Sequence, residues 1–176
     1  MSLTSSVKPV FTAEYSRAKG YGLAAYSLGQ HPIFSAINIA FIDGTGVGAA
    51  DLLYVTNPLA LPSLAASAFV DLDLSGLTDD AIGDDIVMAK VKVLAVYADP
   101  LNQHDLTIGG AALNTFVGPF GAATHQQSVR AGGLYLAVTP GDGWLVTPGT
   151  GDLFRIANAG AVSAVTYHVL IIGATA

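Results

Sequence analysis

Val162-Ser163-Ala164-Val165-Thr166-Tyr167-His168-Val169-Leu170-Ile171-Ile172 decides the fold class. Val165, Tyr167, Val169 and Ile171 recur at every second position, an almost unbroken β-branched series, and that period belongs to a strand with one buried face. No segment of comparable length has a helical period. Just upstream, Asn158-Ala159-Gly160 turns the chain, and 153–157 is another short apolar run. Further back, Val138-Thr139-Pro140-Gly141 returns as Val146-Thr147-Pro148-Gly149. Proline fixes φ and glycine supplies a positive φ, so each Pro-Gly predicts a type II turn. The two turns flank a short strand holding Trp144 and Leu145, and the region reads as a β-meander.

The same punctuation extends outward. Residues 85–97 alternate, with Lys90 and Lys92 facing one side and Ala89, Val91 and Val93 the other. Similar runs occupy 35–42, 67–74, 104–108 and 128–138, and Leu52-Leu53-Tyr54-Val55 looks like a further strand. Roughly eight short strands with Gly/Pro turns and no helical crossover predict an all-β fold, an antiparallel β-sandwich that is jelly-roll-like. Residues 1–30 are less regular and read as an N-terminal arm or edge segment; residues 31–176 form the β-sandwich domain.

Composition bounds the function. The chain has 176 residues, no cysteine, 52% hydrophobic residues and only 11% charged ones. Disulfides and thiol-based metal or redox chemistry are excluded. Twelve Asp and one Glu against four Lys and three Arg give a formal net charge of −6. Phosphate neutralisation needs clustered Lys and Arg, and Lys90 with Lys92 is the nearest thing to a cluster, so no nucleic-acid partner is expected. The uncharged stretch 52–70 contains Asn57, Pro58 and Pro62 and reads as loop plus strand, not as a membrane span. Residues 1–6 lack the basic region and apolar run of a signal peptide, so synthesis in a cytoplasm is expected. So few charges cannot finely interrupt a surface of roughly 8,000 Å², and self-association is the natural inference.

Several motifs invite chemistry and fall short. Gly44-Thr45-Gly46-Val47-Gly48 has its third glycine one place early for a dinucleotide fingerprint and is followed by a strand, so it reads as a hairpin loop. Asp71-Leu72-Asp73-Leu74-Ser75-Gly76 begins like a calcium loop, but the twelfth position is Ile82. Asp71 and Asp73 instead read as the solvent face of a strand whose Val70, Leu72 and Leu74 point inward. His31, His104, His125 and His168 show no metal-ligand spacing, and no nucleophile elbow exists. No catalytic residue, metal or cofactor is expected, and the protein reads as a non-enzyme. Trp144 has two readings: a ring that stacks on a sugar, or one that caps the core.

The chain resembles small virion proteins of tailed bacteriophages. The resemblance is carried by 110–116 (GAALNTF), 128–136 (SVRAGGLYL), 143–158 (GWLVTPGTGDLFRIAN) and 165–173 (VTYHVLIIG), and it extends to the acid-leucine repeat and alternating strand within 51–98. It spans roughly residues 40–176 and implies a virion structural protein, foremost a capsid decoration or cement protein on the outer shell. A glycan- or receptor-binding module of a fibre, or a tail or neck component, is the alternative. Expected partners are further copies, as a trimer or dimer, and the major capsid protein, with the virion surface as location. The contacts are expected from Phe11, Tyr15, Tyr21, Tyr26, Pro58, Pro119 and Trp144.

Overall fold

The computed structural model describes residues 5–7, 14–19, 22–27, 39–56, 60–78 and 85–176. The described residues hold no α-helix; besides strands there is a 3-10 turn at Gly118–Phe120. The strands in chain order are β1 (Ser5–Val7), β2 (Glu14–Lys19), β3 (Gly22–Ser27), β4 (Ile39–Phe41), β5 (Leu52–Val55), β6 (Ser63–Leu64), β7 (Phe69–Asp73) and β8 (Leu77–Thr78). They continue as β9 (Asp85–Ile86), β10 (Lys90–Ala98), β11 (Leu106–Gly109), β12 (Gln126–Val129), β13 (Leu134–Val138), β14 (Trp144–Leu145), β15 (Leu153–Asn158) and β16 (Val165–Ala174).

Two sheets dominate, and every strand pair is antiparallel. Sheet I runs β13-β10-β16-β5, with β14 also paired to β10 and β6 to β16. Sheet II runs β12-β11-β15-β7. Separate pairs join β1 to β4, β2 to β3 and β8 to β9. The expected inward series is observed: Val165, Tyr167, Val169 and Ile171 are all buried. With Val91, Leu94 and Val96 of β10 they meet Leu106 and Ile108 of β11 and Phe154 and Ile156 of β15 in one apolar cluster. Phe120 lies between the sheets, stacked on Tyr135 at 5.9 Å and on Phe154 at 6.1 Å.

Four expectations need correcting. The meander is not formed: β15 belongs to sheet II and β16 to sheet I, so the strands contribute to the same core from different sheets. The run 128–138 is two strands, broken at 130–133, where Gly132 takes φ +73° and the chain passes from sheet II to sheet I. Of the two Pro-Gly turns, Pro148-Gly149 is as expected. Gly149 has φ +73° and Thr150 N donates to Thr147 O at 3.1 Å. At the first, Gly143 rather than Gly141 carries the positive φ. Finally, the ladder between β10 and β16 shifts register between Val91 and Val93. This bulge at Lys92 reverses the alternation, so Val91 joins the main core and Val93 a second cluster on the other face.

Polar groups inside the fold are tied to backbone. Buried Asn158, at the end of β15, donates through Nδ2 to Ala65 O at 3.0 Å and Ser163 O at 2.8 Å. Its Oδ1 accepts from Gly160 N at 2.8 Å. Gly160 then lets the chain pass against the His104 ring, since an added Cβ would lie 2.0 Å from its Cδ2. We expect Gly160→Ala to lower stability by about 1–3 kcal/mol through overpacking. The double variant with His104→Ala should recover part of that loss in chemical denaturation.

Burial of Tyr167 pushes its phenol up to about 12, with the Tyr54 charge adding. A pKa above the unfolded value of about 10 means that its contribution is complete below pH 10 and is lost as pH rises through about 12. Denaturant titrations from pH 9 to 12 should therefore show stability falling, and Tyr167→Phe should remove up to about 3 kcal/mol of that fall.

Candidate functional site: an uncharged sheet face

The two sheets present different chemistry on the sides turned away from the shared core. On sheet II, in-register pairs set Asp71 opposite Arg155, Asp73 opposite Leu153 and Thr107 opposite Ser128. Arg155 donates to both Asp71 oxygens at 2.7 Å, and its guanidinium lies 3.9 Å from the Phe69 ring centre. The Asp71 hydrogen bond raises the Arg155 pKa further, against the opposing effect of burial. Asp73 accepts from Ser75 N at 2.9 Å and Ser75 Oγ at 2.7 Å, a turn-closing arrangement. This face is solvated in character, and the reading of Asp71 and Asp73 as an outward acid pair is observed.

Sheet I differs. Tyr97 stands opposite both Leu134 and His168; Ala95 stands opposite Leu136 and Leu170; Val93 stands opposite Val138 and Ile172. On the far side Leu53 and Val55 of β5 stand opposite Ile172 and Leu170. Residues opposite one another share a face. At one end the face carries Lys90, opposite Ala174 and Leu145; from Val93 to Tyr97 of β10 and along their partners in β13, β16 and β5 it contains no Asp, Glu, Lys or Arg. Part of it is covered by the chain itself, where Phe41 and Ala50 bury Val93 and Ile172. The remainder is open: Leu134 is 60% exposed, Val55 39%, Leu53 38% and Leu136 36%. Tyr97 and His168 lie side by side, ring centres 5.9 Å apart.

Lys92 fixes where this face begins. Its side chain is fully buried at the bulge, and Nζ donates to Gly141 O at 2.6 Å and Gly46 O at 3.1 Å. Burial lowers its pKa, Lys90 adds to the effect and Asp142 opposes it. The Gly44–Gly48 loop is therefore a structural clasp, also held by Gly48 N on Pro140 O at 2.8 Å. The expectation of an outward Lys92 is corrected: the bulge turns it under the two loops. An alternating pattern cannot announce this, because the extra residue breaks the period being read.

Of the residues singled out from sequence, Pro119 and Trp144 lie outside the β13, β10, β16 and β5 register that forms this face. Phe11, Tyr21 and Pro58 lie outside the described residues. Tyr15 and Tyr26 are opposite one another in the β2–β3 pair. Pro119 is half-buried in the 3-10 turn. Trp144 is half-buried and packs on the main core, while the neighbouring Leu145 is 67% exposed. Among the described residues, no group of three or more His, Asp or Glu is placed to hold a metal ion. His125 Nδ1 is 2.8 Å from Phe120 O.

The signal for the uncharged face was present in the sequence. From Val93 to Val96 in β10, through β13, and from Val169 to Ile172 in β16, residues are apolar at both odd and even positions, whereas a strand with one wet face alternates. Comparison of the chain with protein-family models, with curated proteins and with solved structures yields no match.

We expect Lys92→Ala to leave Gly46 O and Gly141 O without their donor and to cost about 1–3 kcal/mol. Hydrogen exchange should accelerate at Gly48, and the central β10–β16 amides should stay protected.

Proposed function

We propose that this chain is a bacteriophage virion structural protein, a capsid decoration or cement protein on the outer shell. It acts without catalysis, metal or cofactor, as a homo-oligomer, a trimer or dimer, in contact with the major capsid protein. The observation that carries the reading is the asymmetry of the two sheets: one outward face charged, the other uncharged across four strands beyond the end that holds Lys90 and Lys92. A protein that works by surface contact needs one side for a neighbour and one for water. Dividing the accessible surface of 9857 Å² among 20 formal charges leaves about 500 Å² for each, which sharpens the same point.

The finer fold belongs to this proposal. Taking the eight main ladder strands in chain order, sheet I reads sixth, third, eighth, first and sheet II reads fifth, fourth, seventh, second. That order supports a jelly-roll sandwich, an architecture used by viral capsid and lectin domains alike. Fold-level analogy raises the expectation of a virion role without identifying a site. The glycan-binding alternative depended on an available Trp144 ring, and with that ring packed on the core the decoration reading is the better supported one.

The mechanism is mass action. A protein that binds only the assembled shell stabilises it by the free energy of that binding, against internal pressure or heat. Net negative charge suits a position outside the shell, away from packaged nucleic acid.

Particles purified from infected cells provide the test. We expect the chain in a high copy number on the outer shell, and heads prepared without it to release DNA at lower temperature until it is added back. A few copies confined to a tail or neck, or none at all, would overturn the reading.

A further inference from the structure

Which surface the copies use to meet one another is a separate question. Its answer rests on the proposed function only for the setting in which the contact matters. We propose that the open part of the sheet I face is a self-contact surface, taking the same face of a second copy of this chain.

Charge selects the occupant. Each copy carries a formal net charge of −6, and sheet II turns Asp71 and Asp73 outward. Two copies meeting through such surfaces repel one another and must strip water from carboxylates. The open part of the sheet I face, away from Lys90, is where like-charged copies can approach without desolvating an ion. Any occupant must be equally uncharged, since an ion seated over Leu134, Leu136 and Val55 would find no counter-charge there. The same face of a second copy meets that requirement, and its twist has the same hand, which suits face-to-face sheet packing at about 10 Å. A surface that pairs with itself gives a closed two-fold contact.

Size sets the strength. Four strands at about 4.8 Å spacing and five residues at about 3.3 Å rise make at most about 300 Å², and Phe41 and Ala50 already cover one end of it. A stable, specific interface uses about 800 Å² per partner. The contact is therefore weak between free molecules and becomes persistent where copies are held side by side, at effective concentrations reaching about millimolar.

Sedimentation velocity of the full chain from about 10 μM to about 1 mM tests this. Wild type should self-associate progressively. Leu134→Glu and Val55→Glu, both at exposed positions, should weaken association at least about ten-fold, an electrostatic and desolvation penalty of about 1.4 kcal/mol or more. Val162→Glu, exposed but off the face, should associate like wild type. Circular dichroism and melting temperature establish that each variant is folded. Wild type that stays monomeric throughout, or association unaffected by both face variants, overturns the inference. Self-association by this face with no attachment to phage heads would leave the inference standing while the proposed function failed. Attachment abolished by Leu134→Glu in a chain that never self-associates would do the reverse.

Discussion

The constraint on which the structure depends is that β10 and β16, from Val93 opposite Ile172 to Val96 opposite Val169, are apolar on both sides. A sheet with one apolar face needs a single covering layer, and a sheet with two needs a second. Sheet II supplies the first through Leu106, Ile108, Phe154 and Ile156. Phe41 and Ala50 supply a fragment of the second. What they leave uncovered is the surface from which the functional reading is built. Site and fold are thus consequences of one compositional fact, the near absence of charge in the central strands.

The polar elements of the fold serve this arrangement. Lys92 is held by two carbonyl oxygens rather than by a carboxylate, so its charge is solvated by dipoles belonging to two loops. Those loops are brought to the same end of the sheet, and the bulge that turns Lys92 under them also sets which side chains of β10 face each way. Asn158 does the corresponding work at the end of β15, joining residues 64–65, 160 and 163 through one amide. Asp152, buried beside the Pro148-Gly149 turn, accepts from Gly149 N and Ser75 Oγ, which links that turn to the end of β7. Each replaces a missing backbone partner with a side chain of fixed reach.

Local features were legible in the sequence because they are local. The inward series of β16, the outward acids of β7 and the Pro148-Gly149 turn depend on residues a few positions apart, and period and turn chemistry report them. The partition of strands between sheets was not legible. Phe154 and Val165 look equally apolar whether their strands lie side by side or on different layers, and both arrangements bury them. The uncharged face escaped for a related reason. Trp144 and Pro119 stand out as an aromatic ring and a proline near turns, while the site is made of Leu134, Leu136 and Val55, each ordinary by itself. Only the register places them together.

The position of β16 in chain order has a consequence for biosynthesis. β16 lies between β10 and β5 and follows every other strand of both sheets. Until residues 165–174 leave the ribosome, β5 has no ladder partner among the described strands and β10 lacks its longest one. Sheet II, by contrast, draws all four strands from earlier sequence and can pair without waiting. The nascent chain therefore holds an assembled half and an open apolar half at once, a state in which crowding by other nascent chains favours misassembly. Yield of folded chain is then set by how quickly β16 is threaded into the centre of a sheet already begun.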